Sequence, residues 1–226
     1  MSRIVFDGIS HRFGATTVLD RIDLELTEAR IGLVGANGSG KSTLARMVNG
    51  LITPTAGRVS VDGVDPVRDG RTVRRRVGFV FTNPDSQIVM PSVAEDVAFS
   101  LRRSGLDRPA VTRRVTETLA RFGLAGLADH PTHLLSGGQK QLLAVAAVLV
   151  TEPAVLVADE PTTLLDLRNA RMMTELFATL PQQLLLVTHQ IELLTDFDRV
   201  VVLERGRVAA DGSPARALAT YQGLLA

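Results

Sequence analysis

The chain has 226 residues, no Cys, a formal net charge of +1 and 45% hydrophobic residues. That composition supplies a core, and it excludes a disulfide framework, a thiolate-bound metal and a broadly basic surface for nucleic acid. The longest apolar run, Leu142–Val150, falls well short of the ~20 residues a bilayer-spanning helix needs, and the charged residues 1–14 do not read as a secretory signal.

In chain order, Arg3–Phe6 and Leu19–Leu26 read as strands, the second from the alternation of Ile22, Leu24 and Leu26 with charged residues. Ile31–Val34 is a short apolar strand entering a Gly-rich turn, after which Lys41–Gly50 reads as a helix stopped by Gly50. Arg58–Val61 and Val77–Phe81 are further strands. From Val93 to Ala128 the spacing is helical and Arg-rich, and Gln139–Val150 is an apolar helix. Ala154–Ala158 and Leu184–Thr188 have the character of buried parallel strands. Val200–Glu204 and Arg207–Ala210 flank Arg205-Gly206 as a hairpin, and Ser213-Pro214 opens a last helix with Pro at its first position. Strands alternating with helices predict an α/β fold over a mostly parallel sheet. One domain, residues 1–226, is expected, with a helical subdomain inserted at about residues 84–151.

The segment Gly35-Ala36-Asn37-Gly38-Ser39-Gly40-Lys41-Ser42 fits G-x-x-x-x-G-K-[ST] between a strand and a helix. In that context Gly-rich backbone turns its N–H groups toward phosphate oxygens, and the helix N-terminus adds partial positive charge. Lys41 and Lys140 are the only Lys among 25 basic residues. A compact ammonium at Lys41 suits the β- and γ-phosphates, the Ser42 hydroxyl would ligate Mg²⁺, and Thr43 would hold the α-phosphate end. ATP with Mg²⁺ is the expected ligand.

Leu156-Val157-Ala158-Asp159-Glu160 ends an apolar strand on two carboxylates, at the edge where parallel sheets bind ligands. Asp159 would hold the metal through water, and Glu160 would orient or deprotonate the attacking water. His189 closes another such strand and, if the two are neighbours, could bond the γ-phosphate. Leu135-Ser136-Gly137-Gly138-Gln139 opens the apolar helix as a second anion site. Read alone the pentapeptide is a helix cap. Two phosphate-binding helix starts in one chain are explained if each completes the nucleotide pocket of a second copy across a two-fold axis.

With these motifs in this order the sequence resembles the ATP-binding subunits of ABC transporters over nearly its whole length: Walker A at 35–42, signature at 135–139, Walker B at 155–160, a D-loop at Thr163-Leu164-Leu165-Asp166, and His189 as the switch histidine. The resemblance implies a P-loop NTPase (RecA-like) core with an antiparallel β subdomain and an inserted α-helical subdomain. It also implies that Phe13 stacks on adenine and that Ser136, Gly137, Gly138 and Gln139 face the ATP of the opposite subunit. Asp166 would bridge the two copies. Partners would be a second ATPase, itself or a relative, a transmembrane coupling subunit and a substrate-binding membrane subunit. The place would be the cytoplasmic face of the inner membrane.

Two positions depart from the family pattern. Thr82 stands where a Gln usually senses Mg²⁺, with Gln87 as a nearby amide that could serve the metal or the membrane partner, and Leu164 replaces a small D-loop residue. Asn83-Pro84-Asp85-Ser86-Gln87 followed by Val93–Phe99 resembles energy-coupling-factor transporter ATPases, and among these the short bacterial biotin-transporter ATPases. Cobalt or nickel uptake ATPases are the alternative of the same type, and a soluble non-transport ABC ATPase is the alternative outside it. Arg68, Arg71 and Arg74–Arg76, with Arg102, Arg103, Arg113 and Arg114, read as solvated faces, the alternative being that some lie near anionic headgroups.

Overall fold

The computed structural model describes residues 1–163 and 165–225, so Leu164 lies outside the described residues. The chain divides into two compact units, the first comprising Met1–Gly78, Ala154–Glu160 and Leu180–Ala226, the second Phe79–Pro153 and Pro161–Thr179.

The first unit holds an antiparallel sheet of order β2-β1-β4, with β1 at Ile4–Phe13, β2 at Thr16–Leu26 and β4 at Ala56–Val61. Its apolar face is built from cross-strand partners: Ile4 opposite Leu26 and Val61, Phe6 opposite Leu24 and Val59. β1 runs seven residues past the expected Phe6 end to Phe13. The register slips between Phe6 and Ile9 and twice more before Arg12, and each slip breaks the period-2 signal that would have announced the strand.

A six-stranded sheet has order β5-β6-β7-β3-β8-β9. Its strands are β3 (Arg30–Val34), β5 (Val77–Val80), β6 (Val155–Asp159), β7 (Gln183–Val187), β8 (Arg199–Glu204) and β9 (Arg207–Gly212). β6, β7, β3 and β8 are parallel neighbours, and every residue of β6 and β7 is buried, which explains their unbroken apolar runs. The register pairs Asp159 with Val187 and Leu33 with Val187, so three strands end level and their following loops leave from one edge. β8 and β9 close antiparallel through Arg205 and Gly206, both at positive φ, the backbone that a two-residue hairpin turn requires.

Helix α1 spans Lys41–Met47. It stops before the expected Gly50, and the chain continues in tighter turns, with Val48 N–H on Ala45 O and Gly50 N–H on Met47 O. Helix α2 (Gly70–Arg76) was not expected. Asp69 caps it by accepting from the Thr72 N–H, and only Val73 is buried, so it carries almost no apolar periodicity.

The second unit is helical: α3 at Val93–Ser100, α4 at Arg108–Arg121, α5 at Gly137–Leu149 and α6 at Leu167–Thr179. The expected continuous run from Val93 to Ala128 is broken between α3 and α4, where Asp107 caps α4 through the Ala110 N–H with Pro109 in the first turn. α5 buries residues on all sides, Leu142 through Ala147 among them. The unexpected α6 buries only Met173 and Phe177, one turn apart. The buried Asp96 on α3 accepts from Val89 and Met90 N–H at 2.8 and 3.0 Å, which compensates its desolvation. In the first unit, the last helix α7, Pro214–Leu225, starts on Pro as the sequence predicts.

Candidate functional site

In the first unit β3 delivers the chain into the Gly35–Gly40 loop and α1 carries it away. Gly40 is the N-cap of α1 at φ 101°, and among the described residues no side chain caps the helix start. A Cβ at Gly40 would lie 2.6 Å from Leu19 Cδ2 and 2.9 Å from Val18 O, so only glycine fits there. The loop is gripped from two sides: Ser39 N–H donates to Ala36 O at 3.1 Å, and the hairpin-turn Gly206 N–H donates to Ser39 O at 3.1 Å. Asn37 and Gly38 form the exposed tip and Ser39 is buried.

Lys41 is 5% exposed, and its ammonium donates to Gly35 O at 2.7 Å and Ala36 O at 3.0 Å. Burial pushes its pKa down, against the opposing pull of Glu160 and Asp159. The Ser42 hydroxyl donates to Asp159 Oδ1 at 2.7 Å. Arg46, one helical turn further, donates from Nη2 to Asp159 Oδ2 at 3.1 Å. Thr43 is half-buried beside Ser42. The hydroxyl and carboxylate oxygens that meet at Ser42 and Asp159 are hard donors of the kind Mg²⁺ accepts alongside phosphate oxygens and water, so the residues present fit that ion.

Glu160 follows at φ 52°, a conformation that costs a residue with a side chain on the order of 1 kcal/mol or more, held by its N–H on Val187 O at 2.9 Å. Because β6 and β7 are neighbours, this turn sets Glu160 against His189, with Nδ1 2.7 Å from Glu160 Oε2. The carboxylate only accepts, so Nδ1 carries the proton. Phe13 stands 55% exposed at the end of β1, and the buried His11 ring meets it edge-on at 4.6 Å and 83°. Lys41, Ser42, Asp159, Glu160 and His189 thus come together, as the sequence expects. Arg46 was missed, although its place four residues after Ser42 put it on the same face of α1.

In the second unit Ser136 is the N-cap of α5 and forms a capping box: its Oγ accepts from Gln139 N–H at 3.3 Å, and its own N–H donates to Gln139 Oε1 at 2.9 Å. Ser136 and Gly137 are exposed and Gly138 is buried. A Cβ on Gly138 would come 2.4 Å from Asn169 Nδ2. Asn169 in turn donates to Asp166 from its backbone N–H, at 2.8 Å to Oδ1, and from its side chain, at 3.0 Å to Oδ2. Asp166 therefore caps α6, and the link through Asn169 to the signature was not foreseen. The Gln87 amide is occupied by backbone: Oε1 accepts from Phe81 N–H at 3.1 Å, and Nε2 donates to Phe79 O and Ala144 O at 3.3 Å each. Thr82 is half-buried in the same loop. Lys140 bonds Asp85 at 2.7 Å, which gives the chain's other Lys a plain ion-pair role. Between α3 and α4 lies a cavity of about 290 Å³ lined by Ala94, Ala98, Val115 and Leu119 among others.

The family model described as ABC transporter matches residues 19–163. The chain is 45% identical over 223 residues, 99% of each chain, to the biotin transport ATP-binding protein BioM of Rhizobium etli. It is 37% identical over 220 residues, 94% of this chain and 79% of the relative, to the energy-coupling factor transporter ATP-binding protein EcfA1 of Halalkalibacterium halodurans. Among solved structures it superposes with a TM-score of 0.84 and 33% identity, over 96% of this chain and 90% of the other, on cbiO1 of Clostridium perfringens, described as part of the ABC transporter complex cbiONQ.

Proposed function

The chain belongs to the ABC transporter family as one of its ATP-binding ATPase subunits, of the energy-coupling-factor kind, and from that premise we propose that it powers uptake of a vitamin, biotin, from the cytoplasmic face of a membrane. The observation that carries the ATPase chemistry is the joint placement of Lys41, the Ser42–Asp159 pair and the Glu160–His189 pair around one loop. Among the described residues no helix is long and apolar enough to cross a membrane, so transport requires a membrane partner. The apolar groove between α3 and α4 offers such a partner a seat for a helical segment.

ATP lies with its phosphates on the Gly35–Ser42 backbone and its adenine on Phe13. Lys41 moves its donors from loop carbonyls to the β- and γ-phosphates. Ser42 and Asp159 would hold Mg²⁺, which supplies charge neutralisation between the phosphates. Glu160 accepts the proton of the attacking water, and His189 fixes the carboxylate that does so. Ser136, Gly138 and Gln139 of a second copy, or of a related ATPase, close over the γ-phosphate, giving two equivalent composite sites. Gln87, engaged by three backbone groups, shapes the loop around Thr82 rather than reaching the metal.

Biotin is favoured by the 45% identity to a biotin transport subunit over 99% of both chains. The test is uptake of labelled biotin and of Co²⁺ by cells expressing the chain with its co-purified membrane subunits. Biotin uptake that stops with Lys41→Ala supports the reading, Co²⁺ uptake alone moves the substrate to a metal, and failure to retain any polytopic partner points to a soluble ATPase.

A further inference from the structure

We propose that Arg46 is the positioning residue that sets the Asp159 carboxylate for Mg²⁺; the inference rests on the nucleotide reading of the site given above. The Asp159 side chain is 0% exposed. A carboxylate stripped of water needs charged or hydrogen-bonding partners on its oxygens. Among those the geometry supplies are the Ser42 hydroxyl on Oδ1 at 2.7 Å and the Arg46 guanidinium on Oδ2 at 3.1 Å. Ser42 and Arg46 are four residues apart on α1 and so project from one face of it. One helix face thus addresses both oxygens, and a rotation of the carboxylate would break two bonds together.

The division of labour follows from which group can share an oxygen with a metal. The Ser42 hydroxyl, whose proton goes to Asp159, would have a lone pair left to offer the ion. A guanidinium cannot ligate, so it belongs on the oxygen facing away from the ion. Arg46 makes this contact while its Nε stays buried without a partner among the described residues, and its side chain is 39% exposed. A purely solvated arginine would turn that nitrogen to water. The guanidinium is therefore held to Asp159 by its setting, in the manner of groups behind a metal ligand, whose removal costs metal affinity about 10–100-fold. An ordinary ion pair tying α1 to β6 would instead affect the melting temperature and leave metal affinity alone.

The experiment measures Mn²⁺ binding, by its spin resonance signal, to the purified chain saturated with ATP, together with ATP affinity in EDTA and thermal melting. Arg46→Gln should leave ATP affinity in EDTA within about twofold of the parent and weaken Mn²⁺ binding about tenfold. Arg46→Lys should recover part of the loss. In an Asp159→Asn background, Arg46→Gln should add nothing further. Mn²⁺ affinity within twofold of the parent in Arg46→Gln would overturn the proposal, as would an equal loss of ATP affinity with and without metal. If the parent itself binds no ATP, the nucleotide reading falls and this inference with it, a result distinct from a parent that binds and a variant that does not differ.

Discussion

Two Gly-rich segments open helices in this chain, and they are built in opposite ways. The loop before α1 leaves the helix start uncapped by any side chain, buries its lysine and is held from outside by the Gly206 turn. The loop before α5 closes on itself: Ser136 and Gln139 satisfy each other's backbone N–H groups, and both Ser136 and Gly137 face solvent. The first leaves its helix start without a side-chain cap among the described residues, in a frame that would suit an anion. The second is content without one, so an anion must compete with its own side chains. In the proposed two-copy pocket, the preset half-site would hold nucleotide in one copy and the self-satisfied half-site would close on it only when the other arrives.

The contrast can be broken at its strongest point through Glu160. Glu160→Gln should lower ATP turnover by about 10²–10⁴-fold while ATP binding survives and a dimer accumulates on size exclusion with ATP; turnover at the parent rate would remove Glu160 from the role of base. Next, Lys41→Ala deletes the buried cation of the preset loop. Truncating one side of a buried charge contact costs about 2–5 kcal/mol, so ATP affinity by calorimetry should weaken roughly 30-fold or more. Ser136→Ala acts on the self-satisfied loop and should behave differently. It removes a helix cap worth about 1 kcal/mol, lowering the melting temperature by a few degrees, and it should leave ATP affinity of the monomer unchanged while slowing turnover. If it weakened monomer affinity as Lys41→Ala does, the two loops would not be distinct half-sites.

The smallest effect is expected with acid, and it falls on the unit that carries the preset loop. The Arg3 hydrogen bond, with its charge, holds the Glu25 carboxyl below its ordinary 4.5. Burial pushes Asp62 up, but the Arg3 N–H, the Ser2 hydroxyl and Arg76 outweigh it and keep it below 3.8. Both carboxyls thus bind protons less readily folded than unfolded. The stability they lend is complete above those ordinary values and drains as the pH falls through the depressed ones. Both pairs are largely exposed, so the loss should be slight and should shrink in high salt. Urea titrations between pH 6 and 3, with and without salt, measure it.

Much of this was legible in the residues. Asp159 and Glu160 at a strand end, the phosphate loop between strand and helix, and the double-glycine helix start all announced themselves, because each joins a rare pattern to a local context. The even strand ends that bring His189 to Glu160 were expected only on condition that the strands are neighbours, since pairing order is a tertiary fact. What stayed hidden lacked a period or depended on a partner far along the chain. β1 was shortened by its register slips, and α2 and α6 bury too few residues to show a helical stripe. The sequence offers Gln87 for the metal or the membrane partner and Asp166 as a bridge between two copies, and it gives no sign of their local bonds. Their oxygens are engaged from within the second unit, by Phe81 and by Asn169. Arg46 was a common residue at a common place until Asp159 stood opposite it.

The grip of Gly206 on Ser39 has a consequence for the order of events during synthesis. The Gly35–Ser42 segment leaves the ribosome well before the β8–β9 hairpin, yet the turn that grips it is made only when that hairpin has been translated. Nascent chains arrested before residue 205 should therefore pass through an immobilised-ATP column, and those released after the hairpin should stay on it. The ability to hold nucleotide would then be acquired late and all at once, so that no unfinished chain competes for ATP.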